Sequence, residues 1–301
     1  MNIVDKMASL PDIISPGISA CVGCNVELTL RTCMKVLGEN TILAIPPGCM
    51  GGVGVVGWNT KSGAQCPVFF PLLDNVASML AGIKLQYERE GRDINVVAFA
   101  GDGASIDAGL QCLSGAAERG DKIIYICYDN EGYMNTGYQR SASTGKYAWT
   151  STTPVSQDGR GGKRQHKKDS PMLLAMHDLP YMATMSPAYI PDMVAKLEKA
   201  IEYSKKGLVY LHVFNPCLTG WGIKPELSIE VCRASVETNY FPLYEVVEGK
   251  FIINKTMVKP APVEKYTGMC KKYAHLRAEE VADIQQLVDT KWQRLVQLAA
   301  L

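Results

Sequence analysis

The 301 residues are 47% hydrophobic and 20% charged, enough to bury a sizeable core in one large domain or two ordinary ones. With 31 basic against 30 acidic side chains the net charge is +1, so no basic field exists to hold nucleic acid or an anionic membrane. The longest apolar runs, 94–100 and 123–127, fall far short of the roughly 20 residues that cross a bilayer. Residues 1–17 contain no continuous apolar stretch of the signal-peptide kind, which gives a cytoplasmic expectation.

In chain order, 26–37 carries apolar residues at helical spacing with Gly38 as a stop, and 41–45 reads as a strand running into Pro46-Pro47-Gly48. A helical pattern covers 75–90 and ends at Gly91. The clearest stretch follows: INVVAFAGDG is a buried strand ending in a glycine turn, IDAGLQCLSGAAERG a helix, and KIIYICYDNEG a second buried strand. This βαβ unit predicts an α/β fold with a mainly parallel sheet flanked by helices. Residues 141–170, rich in Ser, Thr, Gly and Lys, read as a long loop whose length points to function or mobility. A helix over 191–203, a strand over 208–214, a hairpin in EVVEGKFII and a helix over 278–300 complete the pattern. The expected organisation is an α/β domain over 1–230 and a C-terminal extension over 231–301 packed on it.

Ten cysteines in a cytosolic chain are not presumed to be disulfides, so metal or cluster ligation becomes the question. Cys112 and Cys127 sit in apolar patterns as small core residues, and Cys33, Cys66, Cys232 and Cys270 have no partner at a telling spacing. The remaining four are Cys21 and Cys24 in CVGC, Cys49 in PPGCM and Cys217 in NPCLTGW. The last two follow strands in Pro/Gly loops, where backbone N–H groups can serve a thiolate. By count alone four thiolates suit Zn²⁺ as well as an iron–sulfur cluster.

Gly101-Asp102-Gly103 ends one strand, and Asn130 ends the next, 28 residues on. Ligands of open α/β sheets bind at that carboxyl edge, and glycines there let backbone N–H groups approach a phosphate. Asp102 and Asn130 supply oxygens suited to Mg²⁺, with the Gly132 carbonyl available to complete the set. The spacing resembles the GDG…N signature of thiamine diphosphate enzymes.

The string AGDGASIDAGLQCLSGAAERGDKIIYICYDNEGYMNTGYQRS closely resembles the β subunits of the 2-oxoacid:ferredoxin oxidoreductases, pyruvate:ferredoxin oxidoreductase among them. So do CVGC, the GC at 48–49, SPAY, NPCLTGW and ETNYFPLYEV, so that nearly the whole chain is covered. The resemblance implies a thiamine diphosphate-binding fold in which Cys21, Cys24, Cys49 and Cys217 hold one [4Fe–4S] cluster. It implies that Asp102, Asn130 and the Gly132 carbonyl bind Mg²⁺ and that Asn135 faces the reactive thiazolium carbon. The expected cofactor-binding set is Gly48, Gly101, Asp102, Gly103, Ala104, Asn130, Gly132, Asn135 and Thr136.

No carboxylate here matches the one that activates the aminopyrimidine ring; in the family it comes from an α subunit. No CxxCxxCxxxCP run is present, so electrons are expected to leave through another polypeptide; the resemblance implies a ferredoxin-like subunit or domain, ferredoxin as acceptor and a dimer of heteromers. Two segments depart from pyruvate enzymes: Met50-Gly51-Gly52-Val53-Gly54 with the later 69–75, and Thr144-Gly145-Lys146 where Thr-Pro is frequent. Both are expected at the substrate pocket and its lid. Taken whole, the chain is most similar to the oxalate-oxidising member, which implies oxalate oxidised to CO₂, with pyruvate and coenzyme A as the alternative. The rivals are a zinc-stabilised nucleotide-binding assembly subunit and a thiamine decarboxylase without redox chemistry. His166, in GGKRQHKKD, reads as part of a solvated lid, and His177 and His212 as satisfied core residues.

Overall fold

The computed structural model describes residues 2–52 and 63–301. Its chain runs α1 (Ile3–Ser9), α2 (Asn25–Leu37), β1 (Thr41–Ala44), β2 (Val68–Phe69), α3 (Val76–Arg89) and β3 (Asn95–Gly101). A π-helical turn, Gly103–Asp107, leads into α4 (Leu110–Arg119), β4 (Ile124–Asp129), α5 (Ser170–Ala175), β5 (Tyr181–Met185) and α6 (Ile190–Tyr203). Then come β6 (Val209–Phe214), α7 (Leu218–Trp221), α8 (Ser228–Glu237), β7 (Tyr244–Val247), β8 (Lys250–Ile253), α9 (Glu264–Thr267) and α10 (Ala278–Ala299). Among the described residues no helix is long and apolar enough to cross a membrane.

One eight-stranded sheet in the order β2-β1-β3-β4-β6-β5-β7-β8 carries the fold. The first six are parallel, and β7 and β8 join antiparallel at one edge. Alternation splits the strands between two cores. Val97, Phe99, Ile124, Ile126 and Leu211 face α2 and α6, while Val96, Ala98, Tyr125, Cys127 and Tyr210 face α3, α4 and α5. Burial on both faces explains the continuous apolar runs. Each fully buried large side chain contributes about 1.5–3 kcal/mol.

From β1 the chain turns outward to β2, whereas from β3 it goes the opposite way to β4, so the β1/β3 pair is the topological switch point. Ligands of such sheets sit at the carboxyl ends of those strands. Here these ends carry Gly48-Cys49 and Gly101-Asp102-Gly103. The helix expected at 106 is preceded by a wider turn, in which Ala108 N–H bonds the Gly103 carbonyl at 3.0 Å. A Cβ on Gly109 would lie 2.1 Å from the Ala104 carbonyl, so glycine is required where the turn closes into α4.

The expected boundary at 230 falls inside α8, and β7 and β8 extend the same sheet. Glu245 on β7 fastens this edge, accepting from Tyr181 Oη at 2.7 Å, Lys199 Nζ at 2.8 Å and Asn254 Nδ2 at 3.1 Å. Burial would raise its carboxyl, but the bonds from Lys199, Tyr181 and Asn254 outweigh it and hold it below the usual range. A carboxyl lowered in the fold stabilises above its unfolded value and loses that contribution as pH falls through the folded one. With Lys199 partly exposed, Glu245→Gln is expected to cost ~1–2 kcal/mol at pH 7. Urea unfolding should show the deficit shrinking below about pH 4.

Candidate active site

The segment after β4, Asp129-Asn130-Glu131-Gly132, points its residues alternately two ways. Asn130 and Gly132 turn outward onto a cavity of about 160 Å³ at the switch point, which Gly48, Gly101, Gly103, Ala104, Asn135 and Thr136 also line. Asp102 is fully buried beneath it. The whole expected cofactor set is therefore gathered in one place. Its glycines are required by contact: a Cβ on Gly103 would stand 2.4 Å from the Tyr133 ring, and one on Gly48 2.8 Å from the Tyr128 hydroxyl.

As oriented, the Asn130 amide turns its oxygen to acceptors only, the Gly132 carbonyl at 2.9 Å and Asp102 Oδ1 at 3.0 Å. Three converging oxygens are satisfied either by turning the amide over or by a cation among them. An octahedral ion with bonds of about 2.1 Å puts neighbouring oxygens about 3.0 Å apart, the spacing of the Asn130 amide from both partners, and the turned-over amide donates at the same distances. The electrostatics agree. Burial, then neighbouring Asp129, pushes the Asp102 carboxyl well above its usual range, against the opposing Ser141 hydroxyl and Lys167. Ser141 Oγ donates to Asp102 Oδ2 at 2.5 Å.

Asp129 and Glu131 turn inward and are wholly buried. Lys167 Nζ donates to Asp129 Oδ2 at 2.5 Å and to Glu131 Oε1 at 2.9 Å, and Lys272 pairs with Glu131 Oε2. Burial alone would raise both carboxyls, but Lys167 with His212 holds Asp129 low, and Lys167 with Lys272 does so for Glu131. Glu131 adopts a left-handed φ of +60°, uncommon outside glycine, which the surrounding pairs sustain.

These pairs correct the reading of GGKRQHKKD as a solvated lid. His166 is exposed, but Lys163 is buried and donates to the Ala142 and Thr144 carbonyls at 3.0 and 2.6 Å, and Lys168 reaches the Ile106 carbonyl at 2.7 Å. Buried carboxylates and carbonyls need cations, and this loop supplies them. His212 is the satisfied core residue expected, between Asp129 Oδ2 and Tyr210 Oη, each at 2.9 Å; His177 is half-buried beside Ser114.

Cys21, Cys24, Cys49 and Cys217 line a second cavity of about 620 Å³. Cys24 caps α2, and Cys217 caps α7 and accepts from Gly220 N–H at 3.3 Å. Burial, then the Cys217, Cys24 and Cys21 thiols, pushes Cys49 up to about 12. The two cavities share Cys49, Asn130, Met134 and Asn135, so a common wall divides them. Cys33, Cys127, Cys232 and Cys270 are buried core residues and Cys112 half-buried.

Of the departures from pyruvate enzymes, Val53 and Gly54 lie outside the described residues. Gly145 and Lys146, expected near the substrate, line neither cavity. A Cβ on Gly145 would lie 2.0 Å from the Tyr273 hydroxyl, Lys146 pairs with Asp283 of α10, and both line a separate cavity of about 100 Å³ with Lys167 and Tyr240. Sequence reasoning missed Ser141, Lys167 and Lys272. The available signal was a pair of carboxylates ending a fully apolar strand.

Residues 50–213 match the thiamine pyrophosphate enzyme C-terminal TPP-binding domain family. The chain is 46% identical over 288 residues to the NADH-dependent phenylglyoxylate dehydrogenase subunit beta of Aromatoleum evansii, covering 95% of this chain and 64% of that protein. It thus spans under two thirds of that relative's length. It is 42% identical to the pyruvate synthase subunit PorB of Methanothermobacter thermautotrophicus, covering 94% and 97%, and 39% identical to the ketoisovalerate oxidoreductase subunit VorB of Pyrococcus furiosus, covering 94% and 92%. Among solved structures, 2-oxoglutarate:ferredoxin oxidoreductase from Magnetococcus marinus shares the fold, with a TM-score of 0.56 at 16% identity over 73% of this chain and 79% of that one.

Gly103→Ala is expected to cost ~1–3 kcal/mol through crowding of Tyr133 and to empty the smaller cavity of thiamine diphosphate. Asp102→Ala should lose the same cofactor with the fold intact. Cofactor released on heat precipitation, assayed beside far-ultraviolet circular dichroism, measures both; normal content in a folded Asp102→Ala protein would remove that residue from the site.

Proposed function

The chain belongs to the thiamine pyrophosphate enzymes, in the family of 2-oxoacid:ferredoxin oxidoreductase β subunits, and on that premise we propose that it oxidatively decarboxylates a small acid together with partner subunits. The single observation that carries this reading is the wall shared by the oxygen-lined and thiol-lined cavities. When bound, thiamine diphosphate supplies a nucleophilic carbon and a sink for the electrons left as CO₂ departs. Asp102, Asn130 and the Gly132 carbonyl would hold Mg²⁺, while Gly48, Gly101, Gly103, Ala104 and Thr136 wall the diphosphate. Asn135, which stands on both cavities, would be the catalytic residue of this chain.

Cys21, Cys24, Cys49 and Cys217 would ligate a [4Fe–4S] cluster. A single Zn²⁺ at about 2.3 Å from each sulfur needs the sulfurs about 3.8 Å apart. Among the described residues no three Cys, His, Asp or Glu side chains converge on one ion. The cavity that the four thiols line, about 620 Å³, has room for a guest larger than one ion, which favours a cluster over the zinc-stabilised assembly subunit. Cys21 and Val22 are exposed and give electrons an exit toward a ferredoxin-like partner. An α subunit would supply the aminopyrimidine carboxylate, and a cytoplasmic dimer of heteromers completes the proposal.

Oxalate is the acid that the resemblance of the whole sequence to the oxalate-oxidising member favours; the relatives at 46%, 42% and 39% identity are named for phenylglyoxylate, pyruvate and ketoisovalerate, and pyruvate is the alternative. Among the described residues neither cavity is lined by Lys, Arg or His. A buried unpaired carboxylate costs several kcal/mol, so the second charge of oxalate needs cations from the α subunit. Viologen reduction by the anaerobic complex, with oxalate, pyruvate, 2-oxoglutarate and phenylglyoxylate, each with and without coenzyme A, tests the substrate. Turnover of oxalate without coenzyme A is expected; strictly coenzyme-A-dependent turnover of pyruvate alone would replace oxalate. Cys49→Ser should lose iron and all turnover, and Cys112→Ala should retain both.

A further inference from the structure

Lys272 comes from the turn after α9, far along the chain from either cavity, yet it is wholly buried between the two loops that serve them. On one side its ammonium pairs with Glu131, the residue between Asn130 and Gly132. On the other it stands 3.1 Å from the centroid of the Trp221 ring, the last residue of α7, whose first turn is capped by Cys217. Glu131 Oε1 is held separately by Lys167 and by Tyr240 Oη, each at 2.9 Å.

We propose that Lys272 is a positioning residue that fixes the oxygen-ligand loop and the Cys217 helix relative to each other, and so sets the placement of the magnesium–diphosphate site against the thiol cavity. The inference rests on the cofactor reading given above. Neutralising Glu131 requires a cation but not one stacked on Trp221. The ring contact makes the same ammonium a strut to α7, because a cation held over an aromatic face in a dry site is strongly attracted to it. A shift of Glu131 carries Asn130 and Gly132 with it. A shift of Trp221 carries Gly220, whose N–H bonds Cys217 Sγ at 3.3 Å.

The test uses the anaerobically reconstituted complex with Lys272→Met, Lys272→Arg and the double variant Glu131→Gln/Lys272→Met. The single Met variant leaves Glu131 unpaired and can fail to fold. The double variant leaves no charge unpaired and carries the test in that event. Two readouts are taken on each folded protein: Mg²⁺-dependent affinity for thiamine diphosphate by calorimetry, and the electron paramagnetic resonance spectrum of the reduced protein.

Removing Lys272 is expected to weaken Mg²⁺-dependent binding by about tenfold or more, as loss of groups that orient metal ligands does, and to alter the spectrum in the same variant. Lys272→Arg, which keeps charge and ring stacking, should recover part of both. A folded double variant with wild-type affinity and spectrum would overturn the inference, leaving Lys272 as a counter-charge alone. A wild-type complex showing neither Mg²⁺-dependent binding nor a reduced-cluster signal would sink the cofactor reading instead, so the two failures are distinct.

Discussion

Two carboxylates buried at the end of β4 set the terms for much of this protein. Asp129 and Glu131 are taken wholly out of water, a cost met only by paired cations with good hydrogen bonds. Lys167 arrives from the 141–170 loop and Lys272 from beyond α9, so distant parts of the chain are drawn under one strand end. The inward pull on Asp129 and Glu131 leaves Asn130 and Gly132 facing outward, with the Asn130 amide 2.9 Å from the Gly132 carbonyl and 3.0 Å from Asp102 Oδ1. A loop that would otherwise be free is thereby held as a ligand-bearing edge.

The charges on the outer side are unbalanced in the opposite sense. Asp102 and the Gly132 carbonyl converge on the Asn130 amide, and burial raises three of the thiols that share the neighbouring cavity, Cys24, Cys49 and Cys217. On the proposed reading one cavity takes a hard, oxygen-seeking cation and the other a soft, sulfur-seeking one. Their common wall at Cys49, Asn130, Met134 and Asn135 would, on the proposed reading, give a short route between a diphosphate-bound cofactor and an electron acceptor.

Much of this was legible in the sequence because it is encoded locally. The βαβ unit declares itself in two apolar strands and a helix, and the GDG turn and Asn130 fall at strand ends by spacing alone. What could not be read depends on distance or on short elements. β5 is five residues buried on both faces, so YMATM shows no alternation, and α7 is a single turn after a proline. Lys167 and Lys272 meet Glu131 across 36 and 141 residues, a relation with no periodic trace. A run of lysines looks like a solvated face until the buried carboxylates opposite are counted. The packing of Gly145 could not be read for the same reason: its tyrosine neighbours, Tyr240 and Tyr273, come from a later part of the chain. Cysteine count left zinc and iron open, because count carries no spacing.

The central claim is that the thiol-lined and oxygen-lined cavities work as one redox unit. Its most direct measurement is the visible absorbance of the complex purified without oxygen, followed as substrate acid is added in the absence of any external acceptor. The account predicts a brown protein with about four irons per chain in this site, whose absorbance near 400 nm bleaches only when both Mg²⁺ and thiamine diphosphate are bound. A colourless chain carrying one zinc, or a brown one that bleaches equally well without thiamine diphosphate, would contradict it.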